Sequence, residues 1–272
     1  MPLSAFALVL AAAVLHASWN VLLKASGDRL VAAAVQSVAG AVVLAPALAF
    51  DGYPIDRWGS LAASAALHLG YGLTLVGAYE RGDLSVVYPV ARGTAPLLVT
   101  VGAAVFLDDT LGGLGVLGVV LIAGGILGVV RHPDRGIVWA LACGGFIAGY
   151  SLVDGAAVRV EGGSLRYTAA LLLTNAVTLL IVAVARRGWR PAVAAARSGG
   201  GRQLFGGAAS AVAYLLVLIA ARRAPLGAVA AVRETSVVLG ALAGWRLLGE
   251  PFGRARAVGA AIIATGMVLL VV

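Results

Sequence analysis

Two arginines stand inside very apolar stretches of the chain: Arg92 in SVVYPVARGTAPLL and Arg233 in GAVAAVRETSVVLG. A guanidinium grips a carboxylate or phosphonate through two parallel N–H···O bonds. In hydrocarbon it costs about 2.5–3.5 kcal/mol by insertion scales, so something must answer it. One reading is that each side chain snorkels back to the nearer interface. The other is that both face a wet cavity and meet substrate or a paired acid there. The prolines favour the second, since Pro89 frees the carbonyl of Ser85 and Pro96 that of Arg92. Freed carbonyls are tolerated at membrane depth only against protein or water. Tyr88, four residues before Arg92, shares its helical face.

Other residues suit the same chemistry. His16 and Asn20 are spaced i, i+4 with Lys24 one turn on and Trp19 beside them. Trp19, Tyr71, Tyr88 and Tyr150 offer aromatic faces for an ammonium group. The candidate substrate-binding set is therefore Arg92, Arg233, Tyr88, His16, Trp19, Asn20, Tyr71 and Tyr150. Asp154, Glu234 and His68 are the candidate proton carriers, a histidine being the side chain that changes charge near neutral pH. Asp154 wants a partner, for which an arginine is the natural choice. Glu234 points about 100° from Arg233 on a regular helix, which turns it toward a charge on a neighbouring helix.

The elements that must position these groups are membrane spans. Of 272 residues, 61% are hydrophobic and 12% charged, against about 25% charged in a soluble domain. Polar residues are too few to cover a water-facing surface, and the net charge of +8 is no nucleic-acid footprint. About 20 apolar residues cross a bilayer, and the pattern predicts spans near 4–23, 30–50, 59–79, 85–107, 111–130, 136–157, 165–185, 203–221, 226–248 and 255–272. The runs do not alternate polar and apolar residues as barrel strands do. The first run lacks a basic n-region and is read as a retained helix rather than a signal peptide.

The halves repeat. A shift of 141 places Arg92 on Arg233, Asp109 on Glu250, Gly118 on Gly259 and Gly125 on Gly266; a shift of 131 near the start of each half pairs Trp19 with Tyr150 and Asn20 with Ser151. Five spans per repeat, an odd number, invert the second copy in the membrane, an arrangement typical of secondary transporters. The expected units are residues 1–131 and 132–272. HASWNVLLK, YPVARGTAPLL and RETSVVLGALAGWRLLGEPF carry a resemblance to the drug/metabolite transporter superfamily, of the EamA type. LDDT stands where LLGEP would be expected in the first repeat, still with an acid. The resemblance implies an all-α integral membrane protein of ten transmembrane helices around a central cavity, moving small metabolites by alternating access.

Catalysis has no support in the sequence. There is no GxxxxGK[ST], HExxH or GxSxG, so no catalytic, metal or cofactor site is expected. Cys143 is the sole cysteine. Gly124-xxx-Gly128, Gly259 and Gly266 read as helix packing or a dimer seam, leaving monomer and homodimer open. Without an ATP motif the drive is an ion gradient, protons by default, or exchange with a counter-substrate. An amino acid, another zwitterion or an organic anion fits the arginines and aromatics together. The other classes weighed are a non-transporting scaffold or sensor and an integral-membrane transferase on lipid-linked substrates. The expected location is the cell (inner) membrane, multi-pass. Basic residues crowd the loops opposite the N-terminus, notably RRGWRPAVAAARSGGGR, which places both termini outside by the positive-inside rule.

Overall fold

The computed structural model describes residues 1–24, 26–81, 84–128, 136–160, 164–239 and 254–271. Within them lie eleven α-helices: α1 (Leu3–Lys24), α2 (Arg29–Asp51), α3 (Trp58–Arg81), α4 (Leu84–Phe106), α5 (Gly113–Leu127), α6 (Ile137–Arg159), α7 (Ser164–Arg187), α8 (Trp189–Ser198), α9 (Gly200–Ala221), α10 (Leu226–Arg233) and α11 (Arg254–Val271). No strand occurs among the described residues. α1, α2, α6, α7 and α9 are long and apolar enough to cross a bilayer, and shorter apolar helices cover Val90–Phe106, Gly113–Leu127 and Ala261–Val271. Large apolar side chains such as Phe50, Trp58, Phe106 and Val138 are exposed on the outside. A surface of that kind fits lipid and not water.

The expectation of ten helices is corrected in two places. α8 is an additional helix inside what reads in sequence as a loop. It begins beyond Gly188, whose φ of 83° suits a residue without a Cβ, and carries Pro191 in its first turn, where no helix hydrogen bond is lost. Arg190 and Arg197 share one face and Ala192, Ala195 and Ala196 lie opposite, as in a helix lying along a membrane surface. The second difference is in the ninth span, whose α-helix is interrupted by a turn at Glu234–Thr235 and resumes over 236–239. Residues 240–248 of that expected span lie outside the described residues, as do Glu250 and the LLGEP motif at its end.

The packing has the two-fold pattern of an inverted repeat. With α1–α5 equivalent to α6, α7, α9, α10 and α11 in turn, α1 packs on α9 as α6 packs on α3, and α4 packs on α6 as α10 packs on α1. The equivalents α2 and α7, α4 and α10, and α5 and α11 pack on each other. The seam between α5 and α11 fixes the sense. A Cβ added to Gly118 would lie 2.8 Å from the Gly266 carbonyl oxygen, and one on Gly125 would lie 2.9 Å from that of Gly259. Contacts that cross in this order, 118 with 266 and 125 with 259, make the helices antiparallel. Backbones approach closely where no side chain intervenes. Gly124 has open space where a Cβ would be, so the seam uses Gly118 and Gly125 rather than the Gly124-xxx-Gly128 pair.

Candidate functional site

Arg92 and Arg233 both turn inward and are buried, 2% and 4% exposed. Neither snorkels. The side chain between them is Glu234, fully buried at 0%. Its Oε2 is ion-paired with Arg92 Nε, and its Oε1 accepts from Arg233 Nε at 3.1 Å. Arg92 Nη2 also donates to Ser236 Oγ at 3.3 Å. Arg233 Nη2 reaches Ser151 Oγ at 3.4 Å, and its guanidinium lies 5.8 Å from the centre of the Tyr150 ring, within cation–π range. Two cations thus share one carboxylate, a trio of charge +1.

Local backbone geometry makes this possible. Beyond Arg233 the hydrogen bonding tightens. Glu234 N–H is shared between the carbonyls of Ala230 and Ala231, Thr235 N–H donates to Val232 and Val237 N–H donates to Glu234. Thr235 Oγ1 also donates to the Val232 carbonyl at 2.7 Å. This is a short turn of 3₁₀ character in mid-span, of the kind found at hinges and functional sites. The prolines in sequence pointed to a disturbed helix in α4 instead. α4 runs unbroken through Pro89 and Pro96, and the irregular turn falls in the second repeat, in a stretch without proline from Leu226 to Leu239.

A second buried cluster adjoins the first. Asp154, also 0% exposed, accepts from Tyr167 Oη at 2.7 Å and from Tyr214 Oη. The expected arginine partner is replaced by these two tyrosines, because Arg92 and Arg233 are both taken up by Glu234. His68 stacks on Tyr150 with ring centres 4.0 Å apart, and Tyr214 meets both rings edge-on. His68 Nδ1 lies 2.9 Å from the Ser64 carbonyl. A carbonyl only accepts, so Nδ1 carries the hydrogen. Tyr71 packs edge-on against Tyr150.

In α1, Trp19 Nε1 donates to His16 Nδ1 at 3.3 Å and Asn20 Nδ2 to the His16 carbonyl at 2.8 Å. These polar groups bond within their own helix, and all three residues are half-buried. The side chains of Lys24, Tyr79, Tyr88 and Pro89 lie outside the described residues. Sequence reasoning missed Tyr167, Tyr214 and Ser236. Ser151 was signalled only through its alignment with Asn20.

A narrow cavity lies between α6, α9 and α10, lined by Ser151, Tyr214, Val217, Ala221, Leu226 and Arg233 among others. It has about 20 Å³ of room for the centre of a water molecule, enough for about one water. The charged trio and the ring cluster lie beside it. At the Ala221–Leu226 end of the cavity the helices are tied together. Arg159 at the end of α6 donates to the Ala221 carbonyl at 2.8 Å and to Asp109 Oδ2 at 2.8 Å. Asp109 Oδ2 also accepts from the Leu226 backbone at 2.8 Å, where a carboxylate suits the positive end of α10. Asp108, at φ 51°, turns the chain to bring Asp109 there; aspartate is among the residues that tolerate this conformation.

An inverted-repeat bundle of apolar helices with charged groups buried between its halves defines a polytopic membrane protein of the transporter class. The EamA-like transporter family profile matches residues 3–131 and 134–272, and the chain belongs to that family, whose members are integral membrane transporters of small molecules. None of the curated proteins compared matches it. One solved crystal structure superimposes on 99% of this chain and 96% of its own with a TM-score of 0.80 at 17% identity, a likeness of fold alone.

Proposed function

We propose that this chain is a secondary active transporter of a small polar metabolite bearing a carboxylate, an amino acid, another zwitterion or an organic anion, working by alternating access. The observation that carries the reading is Arg233. Its guanidinium lines the cavity, held by Glu234 and Ser151 over Tyr150. A fixed guanidinium beside a hydroxyl and an aromatic face is a receptor for a carboxylate with an adjoining ammonium. The trio's charge of +1 favours an anion, since a buried net charge is costly until paired. In this reading the conformation, whose cavity has room for about one water, is an occluded state of the cycle. Substrate enters when the repeats move apart, with Arg92 freed from its share of Glu234 by the incoming carboxylate. His16, Trp19, Asn20, Tyr71 and Tyr88 complete the site in the open state. An ion gradient or exchange drives the cycle, in the inner membrane of the cell.

The test is uptake into sealed proteoliposomes under an imposed proton gradient, wild type against Arg233→Ala and Arg92→Ala. A melting screen against a panel of amino acids and organic acids comes first. A ligand at 100 times its dissociation constant adds about 2.7 kcal/mol to stability. Arg233→Ala should abolish both the melting shift and uptake. Full uptake by that variant would refute the reading.

A further inference from the structure

We propose that Asp154 is the proton-binding site of this transporter and that Tyr214 reports its protonation to the cavity. This rests on the transport reading. Three acids and bases are buried near the centre, and their partners separate their roles. Glu234 is held by two guanidiniums. His68 is tied through Nδ1 to Ser64 beneath the Tyr150 ring. Asp154 is fully buried, and its oxygens are engaged by neutral tyrosine hydroxyls, with no ion pair to lysine or arginine among the described residues. The groups facing it are Ser64 and His68 from α3, Tyr167 from α7 and Tyr214 from α9, with Tyr150 on its own helix and Arg233 of α10 beyond that ring.

Tyr214 touches two places at once. Its hydroxyl donates to Asp154 Oδ2, and its side chain lines the cavity with Arg233 and Ser151. An ionised carboxylate only accepts, so Tyr214 must spend its hydrogen on Asp154. When one proton from solution forms an O–H bond at Oδ2, the carboxyl becomes neutral and that oxygen becomes the donor. Tyr214 Oη then accepts, and its own hydrogen turns toward the cavity. There it joins the Arg233 guanidinium as a donor to a carboxylate. Proton and carboxylate therefore favour each other's binding and cross the membrane in the same direction.

Infrared difference spectra of the full-length protein in liposomes, taken between high and low pH without substrate, test this. The expected result is a carboxylic-acid C=O band that grows on acidification, is lost in Asp154→Asn and shifts in frequency in Tyr214→Phe. An unchanged set of bands in Asp154→Asn overturns the site. A band that disappears in Asp154→Asn yet stays unshifted in Tyr214→Phe overturns the link to the cavity. Tyr167→Phe, which lies away from the cavity lining, reports whether loss of either tyrosine merely disorders the carboxyl. If it alone shifts the band, Tyr214 has no special part. The spectra need no substrate, so a failed uptake assay and a silent Asp154 are separate results.

Discussion

Arg92 of the first repeat is ion-paired with Glu234 of the second, at the position where the equivalent helices α4 and α10 pack on one another. The shift of 141 that carries Arg92 onto Arg233 carries Gly93 onto Glu234, so the two repeats supply matching cations and only one supplies the acid. Gly93 is closely packed against α5. A Cβ there would already lie 3.0 Å from Leu127 Cγ and 3.2 Å from Ile126 Cγ2. The asymmetry at the centre of a symmetric fold thus falls where the helices pack closely.

Replacing that single acid should be severe. Glu234→Gln leaves two buried guanidiniums facing each other, and breaking a buried pair from one side costs about 3–5 kcal/mol. We expect a large drop in melting temperature of the purified protein, with much of it recovered when Arg92→Gln is added. Melting curves of the two single variants and the double variant check this. Additive losses would mean that the two residues do not interact.

The α5–α11 seam predicts opposite outcomes for neighbouring glycines. Gly118→Leu pushes a side chain into the Gly266 backbone, and overpacking of this kind costs about 1–3 kcal/mol or more. Gly124→Ala meets open space and should leave melting unchanged. Detergent melting curves of the two variants separate a packed seam from a free surface.

The tie at the Ala221–Leu226 end of the cavity can be cut. Asp109→Ala removes the acceptor for the Leu226 N–H and the partner of Arg159, of which the cap alone is worth about 1 kcal/mol. In a Cys143→Ala background, a cysteine at Ala221 should react faster with a soluble maleimide once Asp109 is gone. Equal rates with and without Asp109 would show that the contact does not hold this end closed.

Orientation is open to the same chemistry. By the positive-inside rule, the basic residues around α8 predict that this helix lies on the cytoplasmic side. A cysteine at Trp189, itself exposed, should be protected from an impermeant maleimide in intact cells and labelled after permeabilisation. Labelling in intact cells would reverse the assignment.

Much of the fold is legible in the sequence for a simple reason. Apolar runs of membrane-crossing length must become helices, because their backbone groups have no other partners in lipid. Apart from α8 and α10, the described helices begin and end within a few residues of the runs, as with 30–50 against Arg29–Asp51 and 165–185 against Ser164–Arg187. α8 was hidden because a short helix on a surface gains its stability from the interface and needs no long apolar run. The irregular turn at Glu234 was hidden too. No proline marks it, and it forms where a carboxylate is drawn to cations on two helices.

By themselves the residues determined that this chain crosses a membrane, that it is two inverted copies of one unit, and that Arg92 and Arg233 are equivalent and need an answer inside it. Composition, span length and internal repetition are properties of the chain read in order. Which group gives that answer was decided by the tertiary structure alone. Glu234 belongs to both arginines, and Asp154 belongs to Tyr167 and Tyr214, because partners on different helices are chosen by rotation and crossing of those helices.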